Sequence, residues 1–150
     1  MNKHIKFIDI KSEVPIVRFM LHDGTEGYAI IDSGSEITSF DTEFVKKNKE
    51  QVTIHKTESK MNIVGLNDNV NTPVTKLDAI IMFSDDGLTQ VHIKDAMIYR
   101  LDVINANLKM TYKIDIKITA IIGSDVLSQT NAILDYKKKE MILDDDLFSQ

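Results

Sequence analysis

Ile30-Ile31-Asp32-Ser33-Gly34-Ser35 sets two apolar strand formers directly before a polar bend. Isoleucine favours a buried strand, and that strand must stop where Asp32 and Gly34 turn the chain. A strand end delivers a carboxylate rigidly, Gly34 permits the bend, and the hydroxyls of Ser33 and Ser35 can bond within it. Later in the chain, Ala120-Ile121-Ile122-Gly123-Ser124-Asp125 repeats the plan of buried strand, glycine and helix start. Either stretch alone is an ordinary turn. Their joint occurrence is the informative feature.

Working outward, Val14–Leu21 and Tyr28–Ile31 flank His22-Asp23-Gly24-Thr25, an Asp-Gly hairpin signal. Further strands are expected over Val52–His55, Asn62–Val64, Val74–Phe83, Leu88–Tyr99, Leu108–Ile118 and Ala120–Ile122. Ser84-Asp85-Asp86-Gly87 turns one pair, and Lys137–Lys139 turns a last hairpin of Ala132–Tyr136 with Met141–Leu143. Two short helices are expected. Asp41 caps the first, which runs to about Lys49 with Phe44 and Val45 inward; Ser124 or Asp125 caps the second, from about Val126 to Thr130. No Pro-rich linker, low-complexity tract or internal repeat interrupts the chain. The pattern is that of one all-β domain spanning residues 1–150.

Composition supports this and narrows the function classes. A chain of 150 residues, 43% hydrophobic and 27% charged, is long enough for one self-sufficient core. It has no cysteine, which removes disulfides, thiolate metal sites and a cysteine nucleophile. The net charge of -5, with no basic run longer than Lys137–Lys139, speaks against nucleic acid as a partner. No stretch approaches the roughly 18 apolar residues of a membrane span. The apolar stretch after Met1–Lys6 is broken by Asp9, Lys11 and Glu13, unlike a signal peptide core. A cytoplasmic location is expected, although an export signal already trimmed away would leave no trace.

Of the six glycines, Gly24 and Gly87 belong to hairpin turns and Gly27 lies just past the first. Gly34, Gly65 and Gly123 instead sit among strand formers, where only a tight bend or close backbone approach calls for glycine. Gly65 lies in Met61-Asn62-Ile63-Val64-Gly65-Leu66-Asn67-Asp68. In order, the hairpin, Asp32-Ser33-Gly34-Ser35, this middle segment, Ile121-Ile122-Gly123-Ser124-Asp125, a helix and a closing hairpin resemble the retropepsin-like aspartic peptidases. The resemblance covers roughly residues 15–143.

It implies a closed, acid-protease-like β-barrel of a single lobe with two short helices and a flap hairpin. Asp32 would be the catalytic acid/base, with Ser33, Gly34 and Ser35 supporting its loop. Val64, Gly65 and Leu66 would form the flap over substrate, and Ile121, Ile122, Gly123 and Asp125 a second loop beside the site. Neither a metal nor a cofactor is implied. Peptidases of this class use two carboxylates about 3 Å apart that share one proton. One serves as base on a water and the other donates a hydrogen bond to the scissile carbonyl. This chain has one such tetrad, so a symmetric homodimer would supply the second Asp32. A peptide or protein substrate would bind as an added extended strand.

The sequence departs from the family in places. Ser124 stands where retroviral enzymes often carry Arg, Glu36 follows the tetrad, and the middle segment has one glycine where several relatives have more. The Leu88–Ile118 stretch is longer than a minimal retroviral enzyme needs.

Other chemistries find less support. His4, His22, His55 and His92 lack paired metal-ligand spacing, and Asp144-Asp145-Asp146 lacks an EF-hand pattern. Ser33 and Ser35 lack the Gly-x-Ser-x-Gly elbow of a serine hydrolase. Two functions remain open: an aspartic endopeptidase, or a non-catalytic module of the same fold that dimerises or binds peptides.

Overall fold

The computed structural model describes residues 2–55, 74–76, 79–93 and 95–144. In chain order the strands are β1 (Asn2–Lys6), β2 (Ile16–Met20), β3 (Glu26–Ile31), β4 (Ser39–Asp41), β5 (Thr53–His55), β6 (Val74–Lys76), β7 (Ala79–Ser84), β8 (Gly87–His92), β9 (Ala96–Tyr99), β10 (Ala120–Ile122), β11 (Ile133–Asp135) and β12 (Glu140–Asp144). The helices are α1 (Thr42–Lys47), α2 (Asp102–Tyr112) and α3 (Ser124–Gln129). Nine strands form one sheet in the order β5-β6-β9-β4-β10-β3-β2-β7-β8, and β1-β12-β11 form a second.

The larger sheet is curled into a half-barrel, the form that the expected barrel takes. Chain connectivity requires the curl. β6 lies near one end of the strand order and β7 near the other, yet Lys76 and Ala79 are separated by two residues. Their Cα atoms are therefore no more than about 11 Å apart, which a flat sheet of that width does not allow. For the same reason the two long apolar runs expected as single strands are divided. Val74–Phe83 becomes β6 and β7, and Leu88–Tyr99 becomes β8 and β9, each half pairing at a different place in the sheet.

The expected Asp-Gly hairpin forms between β2 and β3, with Ile16 opposite Ile30 and Met20 opposite Glu26. Gly24 takes the left-handed φ of 88° that the turn needs. Across that turn the Thr25 N–H donates to Asp23 Oδ1 at 2.9 Å, and this bond lowers the Asp23 pKa. The Ser84–Gly87 and Lys137–Lys139 turns also close their hairpins. β1 is a strand that local pattern did not reveal; it pairs with β12 from Asn2–Asp144 to Lys6–Glu140.

β10, the start of β2 and the end of β3 are covered on both faces. Val17, Ala29, Ile31, Ala120 and Ile122 join a core with Phe19, Phe40 and Phe44. Those three rings pack edge-on and stacked, with centroids 5.8 to 6.3 Å apart. Ile16, Ile30 and Ile121 face the opposite way, into a second cluster with Leu101, Leu108, Ile114 and Ile118. Burial on both faces explains the uninterrupted isoleucine pairs before Asp32 and Gly123, where a one-faced strand would alternate.

The outer layer corrects one expectation. Leu108–Ile118 reads as a strand because Leu108, Met110, Tyr112, Ile114, Ile116 and Ile118 alternate with polar residues. Its first half is instead the end of α2, a third helix. Leu101, Ile104 and Leu108 carry a competing helical spacing, and tertiary packing on Ile16 and Ile121 decides in its favour. Lys113 ends the helix with a left-handed φ of 57°, and the Ile114 N–H donates back to Leu108 O at 3.0 Å. Asn105 then stands in for a neighbouring strand. Its Oδ1 accepts from the Ile118 N–H at 2.7 Å, and its Nδ2 donates to Ile118 O at 3.0 Å.

The expected cap of α1 holds by position, and that of α3 does not. Asp41 and Gly123 are the N-cap residues of α1 and α3, and neither helix has a side-chain cap bond. The Asp41 carboxylate, only 3% exposed, accepts from the Leu101 N–H at 3.0 Å, just before α2. Asn105→Ala is expected to lower stability by about 1–3 kcal/mol, since it leaves both polar groups of Ile118 without their partner. Urea unfolding measures the loss.

Candidate active site

β10 is inserted between β3 and β4, parallel to the first and antiparallel to the second. A chain that leaves β3 at Asp32 must therefore pass across the end of β10 before it enters β4. Backbone bonds fasten this crossing. The Asp32 N–H donates to Ile122 O at 2.9 Å, and the Ser124 N–H donates to Ser35 O at 2.7 Å. Between them lies Gly123, where a Cβ would come within 2.6 Å of Ser35 O and 2.9 Å of the Ile37 carbonyl carbon. Real Cβ atoms do not approach backbone so closely. Glycine is required here by close approach rather than by φ, which is -98°.

Within the loop, the Gly34 N–H donates to Asp32 Oδ1 at 3.0 Å and the Ser35 N–H to Asp32 O at 3.1 Å. Ser35 Oγ donates to Ile37 O at 3.0 Å. These bonds realise the bend read from Asp32-Ser33-Gly34-Ser35. Asp32, Ser33, Gly34 and Glu36 are exposed in the single chain. Among the described residues, Asp32 Oδ2 has no hydrogen-bond partner, so one carboxylate oxygen is held and the other is open to what approaches.

Asp125 belongs to the neighbouring loop and ties it to this one. Its carboxylate accepts from the Thr38 N–H at 3.1 Å to each oxygen, and from Thr38 Oγ1 at 2.8 Å. Thr38 Oγ1 in turn accepts from the Gly123 N–H at 3.1 Å. Thr38 is fully buried and is the central link between the two motifs, yet sequence reading passed over it. The available signal was the hydroxyl pair Thr38-Ser39 flanked by Ile37 and Phe40, at a place where a buried polar group needs partners.

Asp32, Ser33, Gly34, Ser35, Ile121, Ile122, Gly123 and Asp125 thus come together at one end of the half-barrel. Ile121 and Ile122 contribute packing, Ile121 to the outer cluster and Ile122 to the inner core. Val64, Gly65 and Leu66 lie outside the described residues. β5 and β6, the strands on either side of that segment, pair antiparallel from Thr53–Lys76 to His55–Val74. No group of three or more His, Asp or Glu among the described residues is placed to hold a metal. No described helix is long and apolar enough to cross a membrane.

A retropepsin-like aspartic protease from Rickettsia conorii has a similar solved structure. Its TM-score is 0.56 at 12% identity, over 95% of this chain and 89% of that one. The fold is retropepsin-like. EIAV protease complexed with the inhibitor HBY-793 also matches, with a TM-score of 0.46 at 15% identity, over 80% of this chain and 89% of the other. No protein-family model matches this chain, and no curated protein matches it by sequence.

Gly123→Ala tests the crossing. The added methyl meets backbone on the Asp32 loop, which cannot rotate away as a side chain would. Stability is expected to fall by about 1–3 kcal/mol. Amide exchange should quicken at Asp32 and Ser124, whose N–H groups hold the two loops together, as read by hydrogen-exchange mass spectrometry.

Proposed function

We propose that the protein is an aspartic endopeptidase whose site is completed when two copies bring their Asp32 carboxylates together. The observation that carries this reading is the Asp32 loop. It is braced by the Ile122 carbonyl, the Gly34 N–H and the Gly123 crossing, while its carboxylate faces outward with Oδ2 unbonded among the described residues. An exposed carboxylate on a rigidly held loop is poorly explained as a structural device, because it stabilises little on its own. It is well explained as half of a pair.

In that pair the two carboxylates share one proton, because like charges at contact distance cannot both ionise. The ionised member takes a proton from a water positioned between them. The resulting hydroxide adds to the scissile carbonyl carbon while the protonated member passes its proton to the carbonyl oxygen, giving a gem-diol. The gem-diol collapses as the carboxyl that took the water's proton gives it to the amide nitrogen, which leaves as the amine. The other carboxylate accepts a hydroxyl proton, and the singly protonated pair is restored. Ser33, exposed beside Asp32, supports the loop contact across the twofold axis. Gly34 holds the carboxylate through its N–H, and Ser35 braces the loop through Asp32 O and Ile37 O. Gly123 and Asp125 position the loop through Thr38 and touch no reacting atom. Val64, Gly65 and Leu66 are assigned to contact substrate main chain, and the peptide binds in extended form.

The test compares the protein with Asp32→Asn on a diverse peptide library between about pH 4 and 7, reading cleavage by mass spectrometry. The expected outcome is loss of all cleavage at retained fold and retained dimer, the latter measured by sedimentation. Identical product profiles from the two proteins would sink the peptidase reading and leave the fold as a binding or dimerisation module.

A further inference from the structure

The segment after α2 keeps the sequence of a strand without a complete set of strand partners. From Ile114 to Ile118 the side chains alternate inward and outward: Ile114 and Ile118 are buried, Ile116 partly so, and Asp115 and Lys117 are exposed. Asn105 occupies the hydrogen-bonding groups of Ile118. Among the described residues, the backbone N–H and C=O groups of Asp115, Ile116 and Lys117 have no partner. A run of free backbone groups on a β-patterned segment is a template for another strand.

A cleft of about 530 Å³ lies against this run, lined by Ile10 and Lys11 on one side and by Tyr112 to Ile116 on the other. Its size falls within the range of ligand-binding clefts, ~300–1,000 Å³. Its charge is distinctive in a chain of net charge -5. Lys11 and Lys113 are both exposed, and neither has an ion-pair partner among the described residues. The one acidic lining residue, Asp115, is already 3.8 Å from Lys109. Tyr112, 48% exposed, adds an aromatic flank.

We propose that this cleft is a second peptide-binding site, which takes an extended, carboxylate-bearing polypeptide segment along the free backbone edge of residues 115–117. Successive residues of an extended segment turn their N–H and C=O groups to opposite edges, so Ile116 shares the Asn105 edge with Ile118. Main-chain bonds to Asp115 and Lys117 on the other edge would supply the strand pairing; Ile10 and Tyr112 would receive apolar side chains, and Lys11 and Lys113 would select acidic ones. The site does not depend on Asp32. It would let the protein hold an extended segment of another protein away from its candidate active site.

The test uses the full chain carrying Asp32→Asn, so that no probe is cleaved. Two fluorescein-labelled peptides are compared by anisotropy, one alternating valine with glutamate and the other valine with lysine. The glutamate peptide is expected to bind at least about fivefold tighter, and Lys11→Glu/Lys113→Glu to weaken it roughly tenfold. Hydrogen exchange on the Asp32→Asn chain should show new protection at Asp115 and Lys117 when the glutamate peptide is bound. Equal affinity for the two peptides, or protection confined to residues around Asp32, would overturn the proposal. So would charge reversals that change the sedimentation of the chain and not its peptide affinity, since the face would then be a contact between copies.

Discussion

The chain that carries Asp32 has to cross the end of β10, and there is no room at that crossing for even a methyl group. Ser35 O and the Ile37 backbone lie against the Cα of Gly123, while the Asp32 and Ser124 amides bond across the same junction. Much of the site follows from that contact. The two motifs are far apart in sequence, but β10 pairs with β3 on one side and β4 on the other, so the loop between β3 and β4 has no route except over Gly123. Thr38 and Asp125 then lock the crossing with buried polar bonds that only this geometry satisfies.

Rigidity of the strands beneath the loop comes from burial on both faces. An inner core around Phe19, Phe40 and Phe44 supports one side of β3 and β10, and the layer built by α2 and Ile114–Ile118 supports the other. Each fully buried apolar side chain contributes roughly 1.5–3 kcal/mol, so either layer outweighs any single polar contact in the loop. The polar groups in the outer layer decide its shape rather than its strength. Asp41 caps the chain entering α2, and Asn105 completes the pairing of Ile118. With that division of labour, a loop can present an exposed carboxylate in a fixed position, which is what the proposed chemistry asks of it.

The outer layer is built by the end of a stretch whose earlier strands, β8 and β9, face the inner core. The stretch from Leu88 to Ile118 does not extend the sheet throughout. It supplies β8 and β9, then α2, then a β-patterned run that ends against Asn105. Its unpaired backbone and flanking lysines are where this chain has surface left over for a partner.

Local sequence determined the hairpins and the two motifs. Asp-Gly turns, the left-handed glycine at position 24 and paired isoleucines before a bend act over a few residues, and no distant contact was needed to read them. The resemblance also led to the retropepsin-like fold, and at Gly123 a glycine among strand formers does mark a close backbone approach. Tertiary structure alone decided the rest. Leu108–Ile118 carries two periodicities at once, and only packing against Ile16 and Ile121 chose the helix for its first half. β1 has no turn or motif of its own and is a strand because β12 lies beside it. Asp41 takes the N-cap position of α1, yet its buried carboxylate bonds the distant Leu101 N–H, and Asp125 adds Thr38 to its bond with the neighbouring Val126 N–H, because the fold brings those donors within reach.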